Sequence, residues 1–463
     1  MAPSEETTRT LAGLIQSRAN RREMLRRAAG LSLAVPALAA LSTMPGRVSA
    51  RAQAAPGGNE PKGPKVDKLV FWTRASPDDP GDPNTYTQLQ AVADAYKGKV
   101  GTNVELVTVP DADFRSRMGL AAPGGEGPDA FGTVAHDWVG EFAVQKIALE
   151  IPESAIQSPQ DFLPQSFEVA KVDGKLYGLP MFLESVALIY NKDMVSEVPK
   201  TWDELVKMAT EMTNEDDQVY GFGFPLLDQY YEGAFLHGFG GYIFKYADGV
   251  FNTEDIGLNS PGGVEATKFL RDMYHKKQPP MPEVAIDRAN MAPAQEGMME
   301  AGQIAMTISG PWRETNLKAA GINFGVAKLP TLPNGQPMKP FYGAQVVLAN
   351  AYGKQQEAAL DFIGYLSGTD SAAELFKSEN KVPARVSTQQ SETVKASTTT
   401  AAWTEQIQDA VPMPNIAAMQ QVWRPWEAAV DSIIPPNAAD PDVKGLLDNA
   451  VTQIREAIVE SQS

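Results

Sequence analysis

Short apolar runs at 69–73, 104–109, 130–134 and 186–190 have the length of strands, and helical patterns lie between several of them. That alternation predicts α/β layers built on largely parallel sheets. Thr201-Trp202-Asp203-Glu204 has the form of a capping box and follows Pro199, so a helix is expected to start there. Further helices are expected at 261–276, 291–300, 354–367 and 415–433. A strand pattern at Ile304–Ser309 stops at Gly310-Pro311 and restarts as a helix at Trp312, and an aromatic at such a turn can project into a cleft. The Ser/Thr/Gln-rich stretch 387–400 reads as a surface connection, and no repeat of 20–50 residues is visible.

A chain of 463 residues with 43% apolar content exceeds one ordinary core, so two lobes are expected. The net charge of −17 conceals a division: residues 1–54 carry eight Lys/Arg and three Asp/Glu, leaving 32 basic and 54 acidic residues downstream. So acidic a body repels phosphate backbones and anionic lipid, which argues against nucleic acid or membrane-surface binding and for a soluble monomer. Cysteine is absent, excluding disulfides, thiolate metal sites, a cysteine nucleophile and a lipid-anchoring cysteine.

The basic segment has the pattern of a leader. Asn20-Arg21-Arg22-Glu23-Met24-Leu25 precedes an uncharged Ala/Leu-rich stretch, 28–45, too short and too mildly apolar to span a bilayer. Paired arginines before an apolar run resemble the twin-arginine export address, with cleavage expected after Ala54 or Ala50. Residues 55–65 are rich in Pro and Gly and read as a flexible tether, and the leader together with the missing anchor cysteine gives the expectation of a periplasmic or other extracytoplasmic location.

Little in the chain suggests catalysis. The three histidines, at 136, 237 and 275, form no H-E-x-x-H arrangement, and no G-x-S-x-G, Walker A or EF-hand loop occurs, so no metal and no cofactor is expected. A glycosidase pair of carboxylates is defined in space rather than by spacing, so that alternative stays open. A site for a neutral sugar instead needs carboxylates and amides for hydroxyls and aromatic rings for C–H faces, and 38 aromatic residues are available.

Several stand in a specific context. Gly174-Lys175-Leu176-Tyr177-Gly178-Leu179-Pro180, Glu184, and Ala187-Leu188-Ile189-Tyr190-Asn191-Lys192-Asp193 resemble the central segment of the maltose/maltodextrin-binding proteins, the extracellular solute-binding components of ABC transporters. The likeness continues through Gly240-Gly241-Tyr242, Gly310-Pro311-Trp312, Phe341-Tyr342-Gly343 and Met413-Pro414-Asn415-Ile416. It implies a two-lobed periplasmic-binding-protein fold of α/β class with the ligand cleft between discontinuous lobes. The lobes implied are 66–182 plus 344–385 and 187–340 plus 400–463, with hinge segments near 182–186, 341–345 and 382–400. It also implies a non-catalytic carrier that delivers a maltodextrin-like oligosaccharide to permease subunits, or a protein of the same fold for another oligosaccharide or a polyol.

Carried over by motif, the resemblance gives six ligand-binding residues. Asp137 matches an acidic hydroxyl-binding position, with a helix N-cap as its structural reading. Glu184 matches the hinge glutamate, with a hinge salt bridge as the alternative. Asp228 and Tyr230 lie in loop-like sequence at the family's cleft tyrosine. Trp312 and Trp423 match two stacking tryptophans. Departures occur at Thr73-Arg74-Ala75-Ser76-Pro77-Asp78-Asp79, at Trp138 directly after Asp137, and at Arg424 and Glu427, and they leave the sugar's length and linkage open.

Overall fold

The computed structural model describes residues 60–78, 83–247, 249–435 and 441–461; the leader and its two cleavage positions lie outside them. The first strands follow the apolar runs: β1 (Lys68–Thr73), β2 (Asn103–Thr108) and β3 (Ala130–Ala135), with β1 parallel to both others. Helices Pro83–Val100 and Asp111–Ala121 supply the crossovers, as parallel neighbours require. A hairpin of β4 (Lys171–Val172) and β5 (Lys175–Leu176) turns at Asp173-Gly174, both at positive φ.

The chain then changes sheets abruptly. β6 (Leu179–Ser185) belongs to the first sheet and β7 (Ala187–Asn191) to a second, with Val186 alone between them. β8 (Tyr220–Phe222), β11 (Ile304–Ser309) and β12 (Phe324–Ala327) complete the second sheet in the order β12-β7-β11-β8, while β9 (Phe244–Ala247) and β10 (Val250–Ile256) form a separate hairpin. β13 (Phe341–Ala349) returns to the first sheet between β6 and β3, β14 (Val382–Pro383) adds to its edge, and β15 (Val411–Pro412) pairs with the start of β13.

Both sheets are mixed, which corrects the expectation of largely parallel ones. β13 is antiparallel to β3 and β6, and β7 is antiparallel to β11 and β12. The strands next to the sheet change enter without a crossover helix, so nothing turns them parallel to their neighbours. The buried side chains form two cores, one around Phe71, Phe131, Phe182 and Phe362 that also takes in Ile189, Ile304 and Phe324 of the second sheet, the other around Trp202, Phe224, Phe235 and Trp426.

Local chemistry explains several boundaries. Thr201 Oγ1 accepts from Glu204 N–H at 3.3 Å and Glu204 Oε2 accepts from Thr201 N–H at 3.2 Å, capping helix Trp202–Met212. Thr201→Ala should therefore lower stability by about 1 kcal/mol, read from the urea midpoint at unchanged m-value. The helix expected at 415–433 divides into a 3-10 turn, Ala417–Gln421, and helix Trp423–Ile433, which keeps Pro425 within the first turn where its missing N–H costs nothing. The stretch 387–400, read as a surface connection, contains short helices and is tied down where Ser387 N–H donates to Asp161 Oδ1 at 2.9 Å. Residues 60–65 of the expected tether rest on the body, with Lys62 N–H donating to Asp361 Oδ1 at 2.6 Å.

Candidate functional site

Tyr230 is the hub around which most of the candidate residues gather. Asp228 caps helix Gln229–Gly238, its Oδ1 accepting from Tyr230 N–H at 2.9 Å, so the pair lies at a helix start and not in the loop the sequence suggested. The Tyr230 ring stacks on Phe341 at 6.1 Å and 24°, and lies 6.3 Å from the Trp312 ring at 52°. Trp312 sits in the turn Pro311–Arg313 after β11. Gly310 makes room for it, because a Cβ there would stand 2.0 Å from the indole Cζ3. Burial first, then the negative charges of Glu184, Asp137 and Asp228 push the Tyr230 hydroxyl well above its ordinary range. It stays a neutral donor and acceptor.

Glu184, near the end of β6, is paired on both oxygens. Gln345 Nε2 donates to Oε1 at 2.8 Å and Lys381 Nζ lies 3.2 Å from Oε2. Burial alone would raise its pKa, but Lys381, Gln345 and Arg74 outweigh that and lower it, so the carboxylate is ionised. Lys381 also holds Glu379 at 2.7 Å. Arg74 extends the network, donating from Nη2 to Gln345 Oε1 at 2.8 Å and from Nε to Thr133 O at 2.9 Å. The salt-bridge reading of Glu184 is thus realised, and a ligand would share a carboxylate that is already fixed in place.

Asp137 lies in the 3-10 turn His136–Trp138 and caps no helix. It is buried, its Oδ1 lacks a hydrogen-bond partner among the described residues, and burial raises its pKa. Gln420 Nε2 donates to Oδ2 at a long 3.4 Å. Neighbouring His136 accepts from Ala344 N–H on Nδ1 at 3.1 Å, which leaves Nε2–H for Met413 O at 3.2 Å; burial keeps the ring neutral. Trp138 is buried between the guanidinium groups of Arg74 and Arg115, 5.6 and 5.4 Å from its ring, against Phe114 and Phe142. It serves the core.

Trp423 makes no ring contact with this group among the described residues. Its ring stacks on Trp426 at 6.4 Å and 6°, half-buried against the second core. Arg424 is exposed and Glu427 pairs with Arg288 at 3.3 Å. A cavity of about 290 Å³ lined by His237, Tyr242, Tyr246 and Pro414 shares only Phe341 with the ring group. Sequence reasoning missed Phe341, Gln345, Lys381, Arg74 and Gln420. Phe341, Gln345 and Arg74 lie in segments it did single out, but their partners are set by strand register and packing.

Residues 81–373 match the family model described as bacterial extracellular solute-binding protein. The chain is similar to a galactooligosaccharide-binding protein of Bacillus subtilis, 30% identical over 404 residues that cover 86% of this chain and 91% of the relative. A maltodextrin-binding protein of the same organism is 29% identical over 381 residues, 81% of this chain and 88% of the relative. The solved structure of a Thermus thermophilus maltotriose binding protein bound with maltotriose has a TM-score of 0.72 at 30% identity, with 84% of this chain and 100% of that one covered.

Proposed function

The chain belongs to the bacterial extracellular solute-binding protein family, and on that premise we propose that it is the extracytoplasmic binding component of an ABC sugar importer, carrying a neutral maltodextrin-like oligosaccharide. The observation that supports this best is the Tyr230 group: three further rings, Tyr231, Phe341 and Trp312, within 6.3 Å and three carboxylates acting on one neutral phenol. Rings give a sugar's C–H faces a surface, and fixed carboxylates accept its hydroxyls. Aromatic side chains that bury about 150–250 Å² each, with a few charge-assisted hydrogen bonds, are enough for about micromolar affinity without covalent chemistry.

The mechanism we propose is closure of lobes 66–182 plus 344–385 and 187–340 plus 400–463 about segments near 182–186, 341–345 and 382–400. A sugar that touches both lobes only when they are closed shifts the population toward that form, which the permease subunits would recognise. Export through the twin-arginine leader, with release after Ala54, completes the proposal, and N-terminal sequencing of the secreted protein checks it.

A second reading is a galactooligosaccharide in the same site, favoured by the Bacillus subtilis relative of that printed specificity. A thermal-shift panel of maltotriose, maltotetraose, galactooligosaccharides and a polyol separates the two, since the preferred ligand raises Tm most. No response to any sugar would overturn the proposal, and shortened sugar recovered after overnight incubation would favour a glycosidase. Trp312→Ala is expected to weaken the best ligand about tenfold, about 1.4 kcal/mol by calorimetry, with folding intact. An unchanged Kd would remove Trp312 from the site.

A further inference from the structure

One side chain bridges the two cores at Asp137. Gln420 lies in the turn Ala417–Gln421 between Met419 and Val422, both wholly buried in the second core. Its partners belong to the other core, where Phe114 flanks Arg115 and Trp138 flanks Asp137. Gln420 Oε1 accepts from Arg115 Nη1 at 2.9 Å, and Nε2 donates to Asp137 Oδ2 at 3.4 Å. Arg115 is held in turn by Glu141 Oε2 at 3.1 Å and by the face of Trp138.

The bridge is well anchored at one end and poorly satisfied at the other. Five residues earlier the buried Asn415 donates from Nδ2 to Val169 O at 3.0 Å and Lys171 O at 2.6 Å, so the segment is pinned to the first core there, and Gln420 lies beyond the pin. At Asp137 the amide serves one oxygen at long range and leaves the other, buried Oδ1, without a partner. A vicinal diol offers two O–H donors, which matches a carboxylate's two oxygens, and such O–H to carboxylate bonds are shorter and stronger than this one.

We propose that Gln420 is a sugar-displaced clasp: it ties Asp137 and Arg115 to the second core when no sugar is bound, and two adjacent sugar hydroxyls take Asp137 from it. This rests on the sugar-binding reading for its second half only. The Gln420–Asp137 bond then stabilises the sugar-free protein and contributes nothing to the complex, while the Gln420–Arg115 bond is common to both states. Its removal raises the free energy of the sugar-free state alone, so affinity rises.

The test is Gln420→Ala in the mature chain, read by calorimetry with the best sugar of the panel and by X-ray scattering without sugar. The expected result is binding about fivefold tighter, a modest gain because the displaced Nε2–Oδ2 bond is long, together with a larger sugar-free radius of gyration and an unchanged radius in the complex. Weaker binding would make Gln420 an ordinary ligand contact and overturn the clasp, as would an affinity and a sugar-free radius both equal to wild type. If wild type binds no sugar, the functional proposal fails, while the sugar-free scattering still decides whether Gln420 holds the two cores together. Circular dichroism melts of the variant confirm that it folds.

Discussion

Gly140→Ala should cost about 3 kcal/mol of stability, the upper end of what overpacking brings, although in an isolated helix the same change gains about 1 kcal/mol. Gly140 is the second residue of helix Val139–Val144. A Cβ there would stand 2.2 Å from Asn415 O and 2.9 Å from both Ala417 N and Ile416 C. All three are backbone atoms, so no side-chain rotation relieves the contact. The segment must lift from the helix, and Asn415 then loses its bonds to Val169 O and Lys171 O. Gln420 and Trp423, carried by the same segment, move with it. Urea unfolding of the variant reads the loss. A variant more stable than wild type would mean that the 415–417 backbone does not rest on this helix.

What the sequence makes legible is what is decided locally. The apolar runs match β1, β2, β3 and β7 within a residue or two because each is a short run of strand-forming apolar residues. Thr201 and Glu204 announce their cap because both partners lie within one turn. The group around Tyr230 is legible in part, since motif resemblance names Asp137, Glu184, Asp228, Tyr230 and Trp312. What each touches is not legible. Lys381 reaches Glu184 from 197 residues away, and Gln345 reaches it only because β13 lies beside β6 in one register. Asp228 was readable as an N-cap, an Asp ahead of a run with helical spacing, yet composition alone suggested a loop. Trp138 and Trp423 show the opposite limit, because each finds a neighbour in the packing, two arginines for one and Trp426 for the other, that no local pattern specifies.

His237 should make the fold acid-sensitive, withdrawing about 3 kcal/mol of stability as pH falls from 6.5 to about 4. The ring is buried on helix Gln229–Gly238, with Nδ1 3.0 Å from Lys339 O and its plane edge-on to Phe341 at 4.8 Å. Burial is the main cause that lowers its pKa from 6.5 to about 4; the Lys339 charge adds to it, and the carbonyls of Lys339 and Gly233 oppose it. The unfolded chain therefore takes up a proton before the folded one does. The contribution is complete above pH 6.5, is lost as pH falls toward 4, and changes no further below that. Asp137, Asp228, Glu232 and Glu296 act in the other direction, because burial raises their pKa and the folded state is then the first to be protonated. The net acid profile mixes both signs, so the informative quantity is a difference. Urea midpoints of wild type and His237→Gln at pH 7, 6, 5 and 4 should converge or cross, with the wild-type advantage shrinking by about 3 kcal/mol across that range. Parallel profiles would mean that His237 titrates as freely in the folded protein as in the unfolded one.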